Sequence, residues 1–216
     1  MAMQHNEDHQ HQCFIYDGSP SAQLPALAGI TKKKLEENYR CLYLNSPLMV
    51  EAMYSHLEAA GVNVANAIAE DDLILSSDPA VIEGGKFDID IMIQGLEDSV
   101  NLALKDGYKG LFATGDMTWE FGAAENYSKL LQYEWRLEKL FQKQPALSGI
   151  CQYHRDTLPH EAVRQGFLSH AKLFVNETLS LINQCYAQSE PDAENESKNP
   201  ELDKKIAMLC RSQYAY

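Results

Sequence analysis

Six short apolar runs, Cys13–Tyr16, Arg40–Leu44, Leu73–Leu75, Leu111–Ala113, Leu147–Tyr153 and Leu173–Val175, alternate along the chain with longer amphipathic stretches. No other feature constrains the fold as much. Runs this short suit strands, and the intervening stretches hold helices of roughly 10–18 residues, as crossover connections require and tight turns do not. Crossovers of that kind are right-handed and cover the sheet they connect, so the expected fold class is α/β, a three-layer domain with a mostly parallel sheet covered on both faces. The fourth run organises the rest. It lies within Gly107–Trp119, GYKGLFATGDMTW, where Gly107 closes an amphipathic run and Thr114-Gly115-Asp116 falls at the carboxyl end of the strand. In open parallel sheets ligands bind at that edge.

Helix signals fill the gaps between strands. Leu24–Asn38 places Leu24, Leu27 and Ala28 on one face and Lys33, Lys34, Glu36 and Glu37 on the other. Ser46-Pro47 starts a helix with Met49, Met53 and Leu57 inward, which Gly61 ends. A short helical piece spans Asn63–Glu70, and the paired glycines of Ile82–Phe87 mark a loop. Asp88 or Asp90 caps the most periodic helix, with Ile89, Met92, Ile93, Leu96, Val100 and Leu104 on its stripe. Ser128–Phe141 carries Leu130, Leu131, Leu137 and Phe141 inward, and Pro159 opens a helix to about His170. The sixth strand is expected at the sheet edge, followed by a helix through about Tyr186.

The ends have a different character. Residues 1–12 lack the apolar content to fold and are expected to form a flexible tail ahead of a domain at 13–178. Residues 179–216 hold that last helix, an acidic linker at Gln188–Pro200 and a short terminal helix. Its Ile206, Leu209 and Tyr214 are available to dock on its own domain, a second copy or a partner.

Charge and composition exclude several classes. With 31 acidic against 18 basic residues the formal charge is −13, which opposes contact with nucleic acid, and Lys32-Lys33-Lys34 reads as a solvated helix face. No run approaches the roughly 20 apolar residues of a membrane span, and MAMQHNEDHQHQ has no basic segment followed by an apolar one, so the chain is expected to be cytoplasmic, off the membrane. Five cysteines, Cys13, Cys41, Cys151, Cys185 and Cys210, imply no disulfide framework.

Candidate ligand-binding residues gather where strands end. They are Tyr16 and Asp17 after the first strand, Thr114, Gly115, Asp116, Met117 and Trp119 after the fourth, and Gln152, Tyr153 and Arg155 at the fifth, beside His154. Tyr16, Asp116, Trp119 and Arg155 are expected to line one pocket, with Arg155 answering the charge of Asp116. Two plainer readings stand beside this: Asp116 caps the next helix while Trp119 packs into the core, and Arg155 is solvated. His5, His9, His11 and Cys13 are metal-ligand types, but no spacing matches a closed four-ligand site, so no metal is expected, His11 and Cys13 being the nearest candidates. A hydrolase built on His154, Asp116 and Cys13 or Cys151 would need a thiol ionised among apolar neighbours, so no catalytic residue is assigned. The turn YDGSPSAQLPALAG has no phosphate loop of the G-x-x-x-x-G-K-[ST] kind, and Asp17 there repels phosphate. No cofactor is named by these residues.

Six groups of residues, in order, resemble one known family. They are His11-x-Cys13-x-x-Tyr16-Asp17, Arg40-Cys41-Leu42-Tyr43, Gly84-Gly85-Lys86-Phe87-Asp88, Gly110-x-x-x-Thr114-Gly115-Asp116-Met117-x-Trp119, Tyr133-Glu134 and Cys151-Gln152-Tyr153. Over roughly residues 11–178 the chain resembles the MEDS domain (methanogen/methylotroph DcmR sensory domain), a degenerate relative of the RecA/KaiC-like fold. The family usually has Glu where Asp116 stands, which keeps the charge, and an arginine at or beside Phe112, whose loss removes a cation for an anionic ligand. The resemblance implies a RecA/KaiC-like sheet without a Walker A loop and a sensory module for small organic compounds, usually coupled to a DNA-binding or kinase domain. The expected function is a stand-alone, non-catalytic ligand-sensing regulator in signal transduction or transcription control, acting through a partner such as a kinase or transcription factor, or through a homo-oligomer. Two alternatives remain open: a degenerate nucleotide-binding protein or enzyme of the RecA-like class, and a metal or haem redox sensor using His11 and Cys13.

Overall fold

The computed structural model describes residues 10–77, 82–83, 86–118, 128–187 and 200–213. Its strands are β1 (His11–Tyr16), β2 (Arg40–Leu44), β3 (Leu73–Ser76), β4 (Ile82–Glu83), β5 (Lys86–Phe87), β6 (Leu111–Asp116), β7 (Leu147–His154), β8 (Lys172–Asn176) and β9 (Leu179–Ile182). The helices are α1 (Leu24–Glu36), α2 (Pro47–Ala59), α3 (Val64–Ala69), α4 (Ile89–Lys105), α5 (Ser128–Lys143), α6 (His160–Ser169) and α7 (Pro200–Gln213). Seven strands make one sheet in the order β3-β2-β6-β7-β1-β8-β9, parallel except for β9. The chain is therefore a three-layer α/β domain.

Alternation along β1 divides the core between two faces. Cys13 and Ile15 pack with α4, α5, α6 and α7, whereas Phe14 and Tyr16 pack with α1, α2 and α3. All eight residues of β7 are buried, as a central parallel strand covered on both sides requires. Local signals act as the sequence suggests: Asp88 Oδ1 accepts from the amides of Asp90 and Ile91 to cap α4, and Gly107 adopts φ +93° to end it. At the start of β2 the Arg40 side chain donates to the Asp71 carbonyl at 2.8 Å, pairs with Asp106 at 2.9 Å and stacks on Tyr108.

Several elements differ from the sequence expectation. β1 begins at His11, not Cys13, because the imidazole is buried and held by a carboxylate of α5, which draws residues 10–12 of the expected tail into the fold. β8 is not at the edge, and the helix expected through Tyr186 is replaced by β9. Asn176 Oδ1 accepts from the Thr178 amide and hydroxyl, turning the chain so that the alternating Leu179–Ile182 pairs back on β8. The expected loop at Ile82–Phe87 contains the paired strands β4 and β5. Helix α7 docks on its own domain, with Leu202, Ile206, Leu209 and Cys210 buried and Asp203 gripped by both arms of Arg164. Trp119, Tyr214 and residues 188–199 of the linker lie outside the described residues. No helix among the described residues is long and apolar enough to cross a membrane.

Gly110 lies where the amino ends of β2, β6 and β7 converge: its carbonyl accepts from Arg40 N, and a Cβ there would stand 1.9 Å from the Ala146 carbonyl oxygen. Gly95, exposed on α4, would meet nothing within 4 Å. Urea unfolding should therefore show Gly110→Ala destabilised by about 1–3 kcal/mol or more, as overpacking against rigid backbone demands. Gly95→Ala should be stabilised by about 0.5–1 kcal/mol.

Candidate functional site

The carboxyl edge of the sheet brings together the ends of β6, β7 and β1, which are neighbours. Tyr16 Oη reaches across β7 and donates to Asp116 Oδ2 at 3.0 Å, while Asp116 Oδ1 accepts from Thr118 N at 2.7 Å. One carboxylate thus holds both the Tyr16 hydroxyl and the amide two residues on. Burial, then the charge of Asp116, pushes the Tyr16 phenol far above its ordinary value, so it remains a neutral donor. Arg155 pairs with Asp17 at 3.5 Å, and the two run alongside each other where Arg155 N donates to the Tyr16 carbonyl. The His154 ring stacks on Tyr16 at 4.9 Å, with Nε2 3.0 Å from the Gly18 carbonyl. Gln152 Nε2 donates to Thr114 Oγ1, which donates to the Ile150 carbonyl, both at 2.8 Å.

The ten candidate residues therefore separate. Tyr16 and Asp116 meet, as do Asp17 with Arg155 and Thr114 with Gln152. Gly115 is paired between Leu44 and Cys151 in the sheet, and Met117 and Tyr153 turn into the α4–α7 core. Trp119 lies outside the described residues.

Beside this edge, on the α1 face, is a cavity of about 430 Å³ at the turn from β1 to α1, closed by the end of β8. Phe14, Tyr16, Gln23, Val175, Asn176 and Glu177 contribute to its wall. Both polar atoms of the Gln23 amide are buried without a hydrogen-bond partner among the described residues. Leaving such a group unsatisfied costs about 1–3 kcal/mol, so its presence in a cavity wall is unusual unless something else engages it.

A second polar cluster lies on the opposite face of the sheet, deep under α5 and α6. His11, Glu134, Cys151 and His170 each direct one ligand-type atom into it, all within 4.8 Å of one another. His11 Nε2 is 3.3 Å from Cys151 Sγ and 3.6 Å from Glu134 Oε2, and His170 Nε2 is 3.4 Å from the same oxygen. Around them, His11 Nδ1 meets Glu138 at 3.0 Å, His170 Nδ1 meets the Gly166 carbonyl at 2.7 Å, and the Tyr153 hydroxyl donates to Glu134 Oε1. Phe141 stacks on the His11 ring at 4.4 Å. Burial raises the Glu134 carboxyl, partly offset by His11 and the Tyr153 hydroxyl, and burial lowers His170 well below the usual histidine range. Burial and then Glu134 push up the Cys13 thiol, which lines the same region.

Sequence reasoning named His11 as a candidate ligand and Glu134 only within the family motif Tyr133-Glu134, and it missed Glu138 and His170. The available signal was two carboxylates four residues apart within the apolar stripe Leu130, Tyr133, Leu137, Phe141, where a solvated helix would keep acids off that face. At the carboxyl edge, Tyr16→Phe deprives the 5% exposed Asp116 of a donor. It should cost about 1–3 kcal/mol in urea unfolding, and combination with Asp116→Asn should show positive coupling in a double-mutant cycle, whereas strict additivity would mean the bond contributes nothing.

Comparison with known protein families matches residues 10–171 to MEDS, described as the MEthanogen/methylotroph, DcmR Sensory domain. No curated protein matches the chain. The match begins at the residue before β1 and ends at the residue before β8, so it takes in both polar clusters and five of the seven strands of the main sheet, β1, β2, β3, β6 and β7. The chain belongs to the MEDS family of sensory domains.

Proposed function

We propose that the chain is a non-catalytic regulatory protein that senses a small neutral organic compound and passes the signal to a partner protein. Membership of a sensory-domain family supports the sensing role. The observation that carries the choice of ligand is the cavity of about 430 Å³ at the β1–α1 turn, whose wall holds an uncommitted Gln23 amide. Its size falls within the range of small-molecule sites, and it lies at the carboxyl ends of parallel strands, where such sites form. A glutamine amide offers an NH2 donor and a carbonyl acceptor, which suits a hydroxyl, carbonyl or amide group, while Phe14 and Val175 suit a hydrocarbon remainder.

Charge argues against a nucleotide in the same place. Among the described residues the lining includes Glu177 and no lysine or arginine. Pro25, in the first turn of α1, removes a backbone donor that a phosphate would use at a helix start. Direct binding to DNA is likewise opposed by the formal charge of −13, so the output passes through a protein.

In a thermal-shift screen of short-chain alcohols, ketones, amides and halocarbons, at least one class should raise the melting temperature of the wild-type protein. Ala26→Trp, which fills the cavity from α1, should abolish the shift while leaving the unliganded melting temperature within a few degrees. Titration calorimetry with Mg-ATP should show no heat. Micromolar ATP affinity, or compound-induced shifts that survive Ala26→Trp, would sink the assignment.

A further inference from the structure

The buried cluster under α5 has a hydrogen-bonding arithmetic that does not close. The Gly166 carbonyl can only accept, so His170 Nδ1 carries the proton and Nε2 presents a lone pair. Glu138 fixes His11 in the same tautomer by accepting from Nδ1, so Nε2 of His11 is an acceptor too. Both nitrogens face Glu134 Oε2, another acceptor, at 3.6 and 3.4 Å. With the Glu134 carboxyl ionised, the only donor in the group is the Cys151 thiol, 3.3 Å from His11 Nε2. Neither His170 Nε2 nor Glu134 Oε2 has a hydrogen-bond partner among the described residues.

Three acceptors and one weak donor converging in a sealed core call for a cation. A tetrahedral ion with ligand bonds of about 2.0–2.3 Å holds its ligands roughly 3.3–3.8 Å apart. Three of the six separations, 3.3, 3.4 and 3.6 Å, fall in that interval, and all six are within 4.8 Å. The outer contacts complete the pattern: a carboxylate behind His11, a carbonyl behind His170 and a phenol behind Glu134 each leave one atom aimed inward, which is how metal ligands are ordinarily oriented. A thiolate and a carboxylate would neutralise a divalent ion, which suits a site where His11, Glu134 and His170 are 0% exposed and Cys151 is 6% exposed.

We propose that His11 Nε2, Glu134 Oε2, Cys151 Sγ and His170 Nε2 hold a divalent transition-metal ion, zinc being the ion that a tetrahedral set of two imidazoles, a thiolate and a carboxylate suits best. The four ligands come from β1, α5, β7 and the residue after α6, so the ion ties four separate segments together. Its shell is closed by protein atoms, and it exchanges slowly from the folded chain. This site stands independently of the compound-sensing cavity, which lies on the other face of the sheet.

The test uses the full chain without an added histidine tag, purified as expressed and also refolded with zinc or cobalt(II). Elemental analysis should find about one zinc per chain, and the cobalt form should show a thiolate-to-cobalt charge-transfer band in the near ultraviolet. Cys151→Ser should remove that band, and His170→Gln should lower metal retention at least tenfold. Glu138→Gln, at a residue that meets His11 on its outer side and contributes no ligand atom, should weaken binding by about 10–100-fold. Cys185→Ser, outside the cluster, should change nothing. Metal below about a tenth of an equivalent after refolding with zinc overturns the proposal. So does metal content and cobalt absorption indifferent to Cys151 and His170, which would place the ion elsewhere. Should a variant fail to fold, the wild-type cobalt spectrum decides, because a spectrum without a thiolate band excludes Cys151 as a ligand.

Discussion

A carboxylate can be kept inside a protein only if something nearby answers it, and α5 carries two, Glu134 and Glu138, inward against the sheet. Much of the α4–α7 layer is arranged around that demand. His11 reaches Glu138, Tyr153 reaches Glu134, and Tyr186 and Gln142 both donate to the second oxygen of Glu138. These contacts fix the height of α5 over β1 and β7, extend β1 to His11, and bring the turn after α6 inward with His170. Apolar packing around them would tolerate small sliding; a buried acid with named partners does not.

Because β1 alternates, it serves both faces at once. His11, Cys13 and Ile15 look toward the acids of α5, while Phe14 and Tyr16 form the floor of the cavity and the link to Asp116. A displacement along this strand is felt by both clusters, and the neighbouring β7 shares the burden through six registered pairs. The strand is thus a mechanical connection between two chemically unlike sites on opposite sides of one sheet.

The sequence announced the layers better than the sites. Alternating apolar runs and capped amphipathic helices are local features, and Asp88, Pro47 and Gly107 each do in the fold what their chemistry suggests. β9 was hidden because Leu179–Ile182 is short and gains its stability from β8, a partner that no local pattern reveals. The polar cluster was hidden for a related reason. Its members stand at positions 11, 134, 151 and 170, so no spacing rule joins them, and only the register of Cys13 with Cys151 and the pitch of α5 bring them together. At the carboxyl edge the residue types were legible but their partners were not: strand order decides that Tyr16 rather than Arg155 bonds to Asp116 Oδ2.

The placement of β1 between β7 and β8, beneath α7, also sets the order in which the chain can assemble. Once made, β1 waits for partners made more than a hundred residues later, with both of its hydrogen-bonding edges open in the meantime. Long-range parallel pairing of this kind folds slowly and exposes strand edges to other chains. During synthesis β1 is therefore an aggregation hazard, and it is a strand that a holding chaperone would have reason to cover.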